Sequence, residues 1–283
     1  MRPRAYQRHP RNESETNRSR DRIGRRARSA LASLDQPRQI LEYPRMNERT
    51  VAGDTAEVPS ADAVRAGAAV YRPWTLRLYD VWVHGVSNAI AWRCPTRALL
   101  DTYDRNVSAR HLDVGVGSGF FLDHCRFPVP EPRITLVDLN PASLAFTRAR
   151  IGRYRPTVHE ANVFELASLP EAPFASIALM YLLHCLPGTL ASKSRLFERL
   201  GALLSPEGVL FGATILGRGV ELSLPARALM RFYNAKGIFG NAEDTLEDLD
   251  AGLRRVFDDV RVSRFGMVAV FEARGPRAPR TPS

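Results

Sequence analysis

The sequence predicts an α/β fold: a seven-stranded, mostly parallel sheet with helices on both faces, closed by a C-terminal antiparallel hairpin. Three observations predict it. From residue 108 onward, short apolar runs alternate with stretches of helical periodicity, the pattern of βαβ units. The first of those runs ends in a glycine cluster, Gly115 to Gly119, where strand gives way to helix. The last two runs, VFDDVRVSRFG and MVAVFEAR, follow one another with no helix between them, as a hairpin does.

The chain of 283 residues divides unevenly before that fold begins. Residues 1–50 hold 13 Arg against 6 acidic residues, which is +7 of the net charge of +10. The remainder is close to neutral and asks for no nucleic-acid partner. Only two of the 40 basic residues are lysine, an imbalance typical of codon bias rather than of a phosphate-binding surface. Residues 1–60, rich in Arg, Ser, Pro, Asn and Glu, are expected to form a disordered basic tail, because they carry too little apolar periodicity to offset ordering entropy. Met46 inside it reads as an alternative start, which would make residues 1–45 expendable. With 45% hydrophobic and 25% charged residues, the chain is neither wholly disordered nor collagen-like. Its longest apolar run, Ile177 to Pro187, is interrupted by His184 and is too short to span a membrane. Cys94, Cys125 and Cys185 show no CxxC or metal-finger spacing, so a disulfide scaffold and a zinc module are excluded and a cytoplasmic location is expected, with no metal.

Residues 61–106 read as an N-terminal helical segment. Trp74, Leu76, Tyr79, Trp82 and Val83 recur near helical spacing, Gly85 punctuates, Ser87 or Asn88 caps a second helix, and Pro95 marks a break or a new first turn. The core is expected over 107–276. ARHLDVGV is the first strand and FFLDHCR opens a helix; RITLVDL is the second strand, followed by the helix PASLAFTRARI with Pro at its first position. TVHEANVF is a third strand and loop, and FASIALMYLLHCL a fourth strand running into a loop. ASKSRLFERLGALL is an amphipathic helix, SPEG a turn and VLFGATIL the fifth strand. A helical insertion at about 222–242 precedes the closing hairpin, and residues 277–283 form a short tail.

The glycine cluster carries the chemistry. Asp113-Val114-Gly115-Val116-Gly117-Ser118-Gly119 lies at the carboxyl end of the first strand, where α/β sheets bind ligands. A dinucleotide fingerprint would need glycine at position 120, which is Phe120, and no GK[ST] follows to make a phosphate loop. Asp138, at the end of the second strand, stands where a carboxylate accepts two hydrogen bonds from a ribose diol. Asn162 after the third strand can read an adenine edge, with Val163 and Phe164 as apolar walls. A glycine turn, a ribose acid and an adenine amide, in that order, describe a nucleoside site without a phosphate cradle.

These segments resemble the class I S-adenosylmethionine-dependent methyltransferases. HLDVGVGSGFFLD looks like their first motif, TLVDLNPASLAFTRAR like the ribose-binding second strand and EANVFEL like the adenine-side loop. FASIALMYLLHCLP and LLSPEGVLFGATIL are similar to the fourth and fifth strand motifs, and the likeness covers about residues 64–275. One departure is Ala175, where the family usually carries Asp. The resemblance implies a Rossmann-like methyltransferase sheet with S-adenosyl-L-methionine as cofactor. It implies that Asp113, Gly115, Gly117 and Gly119 face the methionine part, that Asp138 and Leu139 meet the ribose, and that Asn162 and Val163 flank the adenine. Tyr181 and, from the helical lid, Tyr79 complete the cofactor site.

His184, after an apolar strand at the ligand-binding edge, is the candidate general base; a pocket-shaping histidine is the competing reading. Trp74 and Trp82 before the core, with Phe232 and Tyr233 in the insertion, are expected to close an aromatic pocket over a small-molecule acceptor, as in methyltransferases that tailor secondary metabolites. No NPPY-type tetrapeptide follows the fourth strand, and no zinc knuckle or RRM-like strand pair occurs. Two alternatives stay open: an RNA or protein methyltransferase using the basic arm, and a non-catalytic cofactor-binding subunit. A monomer or homodimer, with no membrane partner, completes the expectation.

Overall fold

The structure is a computed structural model that describes residues 91–277. The expected tail at 1–60, residues 278–283 of the tail expected at 277–283, and Trp74, Tyr79 and Trp82 of the expected lid lie outside the described residues. In chain order the elements are α1 (Thr96–Asn106), β1 (Arg110–Val114), α2 (Phe120–His124), β2 (Arg133–Asp138), α3 (Pro141–Arg150), β3 (Thr157–Glu160), β4 (Phe174–Met180), α4 (Leu190–Lys193), α5 (Arg195–Ala202), β5 (Leu204–Ile215), α6 (Leu224–Ala235), α7 (Leu246–Arg254), β6 (Phe257–Phe265) and β7 (Val268–Pro276).

One seven-stranded sheet runs in the order β3-β2-β1-β4-β5-β7-β6. The first five strands are parallel, β7 runs antiparallel beside β5, and β6 pairs antiparallel with β7. Period-two alternation sends successive side chains to opposite faces. Leu112, Ile177, Leu179, Leu210 and Phe271 pack with α4, α5 and α7. Leu136, Ala178, Phe211 and Val270 pack with α1, α2, α3 and α6. Helices therefore cover both faces.

The helix starts are written in the sequence. Asn140 accepts from the Ala142 N–H at 2.9 Å, with Pro141 in the first turn, and so caps α3. Ser223 caps α6 through the Ala226 N–H at 3.3 Å, and Thr245 caps α7 through the Asp248 N–H at 3.1 Å. Pro95 stands just before α1 and starts a new helix.

Two local expectations change. The single helix expected over ASKSRLFERLGALL is divided at Ser194, whose hydroxyl donates to the Ala191 carbonyl at 2.7 Å and accepts from Arg255. Side chain–backbone bonding of this kind competes with a continuous helix. SPEG, expected as a turn before the fifth strand, lies within β5. Phe174 pairs with Leu204 and Ser176 with Val209, so the intervening residues bulge out of a ladder that continues past them.

Behind this division stands an ion pair that periodicity does not reveal. Lys193, fully buried, donates to Asp244 at 2.7 Å and to the Gly240 carbonyl at 2.9 Å. Nearby, Asn241 donates to the Ile215 carbonyl at 2.8 Å and accepts from Asn234 at 3.1 Å. Together these bonds tie α4 and the end of β5 to the segment between α6 and α7. Burial pulls the Lys193 ammonium below its usual range and pushes the Asp244 carboxyl up, each opposed by the other's charge. Removing one partner strands a buried charge. Lys193→Met should therefore cost about 3–5 kcal/mol in urea unfolding, and adding Asp244→Leu should restore a large part of that loss.

Candidate active site

A cavity opens at the carboxyl ends of β1, β2 and β4, where the strand order reverses between β1 and β4. Its floor is the turn from Val114 to Ser118 after β1, and one wall is Val137 to Asn140 at the end of β2. Ala161 and Val163 contribute from the loop after β3, and Met180, Tyr181, Leu182, Cys185 and Leu186 from the segment after β4. Phe120 and Phe121 reach in from α2.

The three glycines of the turn do different work. All have positive φ, at 74°, 54° and 70° for Gly115, Gly117 and Gly119. A Cβ built on Gly117 would meet nothing within 4 Å, so the backbone there lies open to a ligand that any side chain would displace. Gly119 does not line the cavity. A Cβ there would sit 2.7 Å from Thr147 of α3, so this glycine lets two helices approach.

Asp138 is the acid of the cavity. Its Oδ1 accepts from the Asn140 N–H at 2.8 Å, and the N–H groups of Gly117 and Val116 also stabilise the charge. Burial outweighs these donors, and the nearby Asp113 charge adds to it, so the carboxyl is pushed up to about 6. Leu139 and Val163 line the cavity beside it.

Three candidates from the sequence sit differently from expectation. Asn162 is buried with its amide spent locally: Oδ1 accepts from the Phe164 N–H at 3.1 Å and Nδ2 donates to Glu165 at 2.9 Å. It forms the turn that presents Ala161 and Val163, and does not itself line the cavity. Asp113 points away from the cavity, under β1, where Oδ2 accepts from the Tyr103 hydroxyl at 2.5 Å. His184 is 3% exposed and is absent from the cavity wall. Its ring stands edge-on to Phe239 at 4.6 Å and to Tyr181 at 5.5 Å, and Nδ1 accepts from the Ile215 N–H at 3.4 Å. Burial and the neighbouring Lys193 charge hold it down to about 3. That geometry gives a buried, neutral packing group that does not line the cavity among the described residues, which supports the pocket-shaping reading over the general-base one.

Phe232 is 53% exposed on α6, while Tyr233 of the same helix packs against Phe239 at 4.8 Å, which in turn touches His184. Neither lines the described cavity. Tyr181 does, in the left-handed region at φ 60°. Among the residues that sequence reasoning missed are Asn140, Phe120, Phe121, Ala161, Cys185 and Leu186. Asn140 had a signal, since Asn-Pro marks a helix cap. The others are small or apolar residues whose role comes only from the strand ends beside them.

Among the described residues the wall holds one acidic side chain, an open glycine backbone and an apolar slot at Leu139, Ala161 and Val163, and no Lys or Arg. These residues fit a nucleoside that carries a diol and no phosphate. Among the described residues no group of three or more His, Cys, Asp or Glu could hold a metal, and no helix is long and apolar enough to cross a membrane.

Comparisons with known proteins give the family. Residues 112–210 match the family model described as a methyltransferase domain. The chain is 40% identical over 207 residues to the demethylluteothin O-methyltransferase of Streptomyces thioluteus, covering 73% of this chain and 90% of that one. It is 37% identical over 224 residues to the physcion biosynthesis cluster O-methyltransferase of Aspergillus chevalieri, covering 78% of this chain and all of that one. Among solved structures, that of DhpI in complex with SAH superposes with a TM-score of 0.57 at 14% identity, over 78% of this chain and 100% of the other, a likeness of fold.

The burial of His184 has a measurable consequence. Its folded value of about 3 lies below the ordinary 6.5, so the stability it confers is complete above about pH 6.5 and is lost as pH falls toward 3. Urea midpoints should decline over that range, and His184→Asn should flatten the decline while lowering stability at pH 7. Its titration should leave no inflection in turnover between pH 6 and 8.

Proposed function

This chain belongs to the class I S-adenosylmethionine-dependent methyltransferases, and from that premise we propose that it methylates a hydroxyl oxygen of a small apolar acceptor, as a tailoring enzyme of secondary metabolism. The observation that carries this reading is the cavity wall. Beyond Asp138 it presents Met180, Tyr181, Leu182 and Leu186, with Phe120 and Phe121 beside them, and among the described residues no basic side chain to meet a polyanion. The O-methyltransferases of the luteothin and physcion systems, similar over most of their length, support oxygen as the acceptor atom.

In this reading each residue has a task. The cofactor, when bound, supplies a sulfonium-activated methyl group. Gly115 and Gly117 let the backbone approach the methionine part, and Asp138 accepts hydrogen bonds from the ribose hydroxyls. Leu139, Ala161 and Val163 hold the adenine between apolar surfaces. Tyr181, Leu182 and Leu186 exclude water and align the acceptor, and alignment alone is worth up to about 7–11 kcal/mol of a barrier. With His184 buried and neutral, the acceptor hydroxyl that suits this cavity is an acidic one, an enol or a phenol whose anion a conjugated carbonyl stabilises. We place the enzyme in the cytoplasm.

Incubating the full chain with labelled S-adenosylmethionine against phenolic and enolic metabolites, aliphatic alcohols and total RNA tests the proposal. Label should pass to the first group, and transfer to RNA alone would favour the basic-arm alternative. Asp138 offers a second test with two opposed signs. Its folded value of about 6 lies above the ordinary carboxylate value, so its contribution to stability is present at low pH and lost as pH rises through 6. Asp138→Asn should raise the melting midpoint of the free protein by a few degrees at pH 7.5. The same substitution should weaken S-adenosylmethionine binding in calorimetry by about tenfold or more, since a charged acceptor bond is worth about 1.5–3 kcal/mol. Wild-type affinity should fall below pH 6.

A further inference from the structure

Beneath the glycine turn lies a buried polar chain that the reading above does not use. His111 and Asp113 project from the same face of β1. The Tyr103 hydroxyl of α1 has one proton, and its 2.5 Å contact with Asp113 Oδ2 takes it. His111 Nε2, 2.8 Å from the same hydroxyl oxygen, must then be the donor to it. On the other side of the ring, His111 Nδ1 lies 2.8 Å from the Ser176 hydroxyl of β4. That hydroxyl in turn lies 2.8 Å from Ser108 Oγ and accepts from the Ser108 N–H at 3.0 Å. Donors pointing in one direction polarise one another, and this series ends on a carboxylate.

Tyr103 and His111 are fully buried, and Asp113 is 5% exposed. Tyr103 stacks at 5° on Phe121, which lines the cavity, and stands edge-on to Phe211. The phenol is pushed well above its usual range by burial and by the Asp113 charge, so it remains a donor. The groups facing Asp113 are Tyr103 from α1, His111 from β1, Cys125 after α2 and Asp138 from β2. Cys125 is pushed above its thiol range by burial and by nearby carboxylates, so it stays a neutral thiol and adds no second negative charge beside Asp113.

Asp113 is two residues from Gly115, on the strand that delivers the turn to the cavity. A fixed negative charge there, poorly screened, bears on a ligand according to the ligand's charge. The methyl donor is a sulfonium cation, whereas the product left after transfer has an uncharged sulfur. We infer that Tyr103 and His111 are positioning residues that hold Asp113 as a fixed anion beneath the glycine turn, so that the site discriminates in favour of the cationic donor and against its uncharged product. The inference rests on the cofactor site proposed above. Its consequence is kinetic as well as thermodynamic, because a product bound less tightly leaves sooner.

Calorimetry on the full chain with S-adenosylmethionine and with S-adenosylhomocysteine, each with a melting midpoint, tests it through a ratio. Tyr103→Phe keeps the ring and its stacking but removes the donor. Asp113→Asn removes the charge but keeps an acceptor for Tyr103. In both, the product Kd divided by the donor Kd should fall by about threefold or more relative to wild type. Ser176→Ala, at the far end of the chain, should shift the ratio in the same direction by less. A purely structural role would lower the midpoint and weaken both ligands by the same factor. An unchanged ratio with binding intact therefore overturns the inference and leaves the site assignment standing. Failure of the wild type to bind either ligand overturns both. Should Tyr103→Phe not fold, the ratio in Asp113→Asn and Ser176→Ala decides.

Discussion

The site depends on a topological constraint. From β1 the chain moves outward through β2 to β3, then returns across the sheet to lay β4 on the other side of β1. The connections that leave β1 and β4 therefore diverge and leave a crevice at their carboxyl ends. The glycine turn, the end of β2 and the segment after β4 meet there because parallel strands in register deliver them to one edge. Gly115 donates to the Val137 carbonyl at 2.8 Å, so the turn is pinned to β2 one residue before Asp138. The Tyr181 N–H, bonded to the Ala213 carbonyl at 2.8 Å, pins the opposite rim to β5 in the same way. The cavity owes its shape to backbone pairing before any side chain is considered.

Side chains then decide how firmly the rim is held. The segment after β4 has only a single 3₁₀ turn, Leu183–Cys185, and needs support from outside. That support is the Lys193–Asp244 pair, the Asn241 amide and the Gly240 N–H, which donates to the His184 carbonyl at 2.8 Å. Gly240 tolerates no side chain, since a Cβ would fall 2.4 Å from the Leu186 carbonyl. His184 therefore sits at the hub of a buried joint, with Phe239 in a T-shaped contact and the Ile215 N–H on its ring nitrogen. A histidine suits that place because it offers both an apolar ring and one acceptor. Protonation would destroy the acceptor and bury a charge beside Lys193.

The fold was legible because its determinants are local and repetitive. Alternating apolar strands and capped helices, Asn140-Pro141 among them, are visible in sequence order. Asp138 and the glycine turn were legible because strand ends fix their place. What misled was identity without geometry. Asn162 and Asp113 are polar residues at family positions, yet each is consumed by a partner: Asn162 by its own turn, Asp113 by a tyrosine ten residues earlier. Nothing in the spacing of His184 separates a residue that faces the cavity from one that turns its ring into the joint behind it. Lys193 escaped notice for the opposite reason. A lysine in an amphipathic helix reads as a solvated face, and only the fold brings Asp244 to within 2.7 Å, 51 positions along the chain.

The placement of carboxylates completes the argument. Two acids, Asp113 and Asp138, lie at the ends of adjacent strands with the glycine turn between them, and the Asp113 charge makes that of Asp138 more costly. A sequence optimised for stability alone would replace at least one by an amide or an apolar residue. Instead the structure spends its donors to keep them: Asn140, Gly117 and Val116 on Asp138, and the Tyr103–His111 series on Asp113. For Asp138 those donors are outweighed by burial, which leaves the carboxyl poised near 6 in the free protein. In the cofactor site proposed above, ribose hydroxyls would supply Asp138 with donors, and binding would offset part of the burial cost that raises its carboxyl.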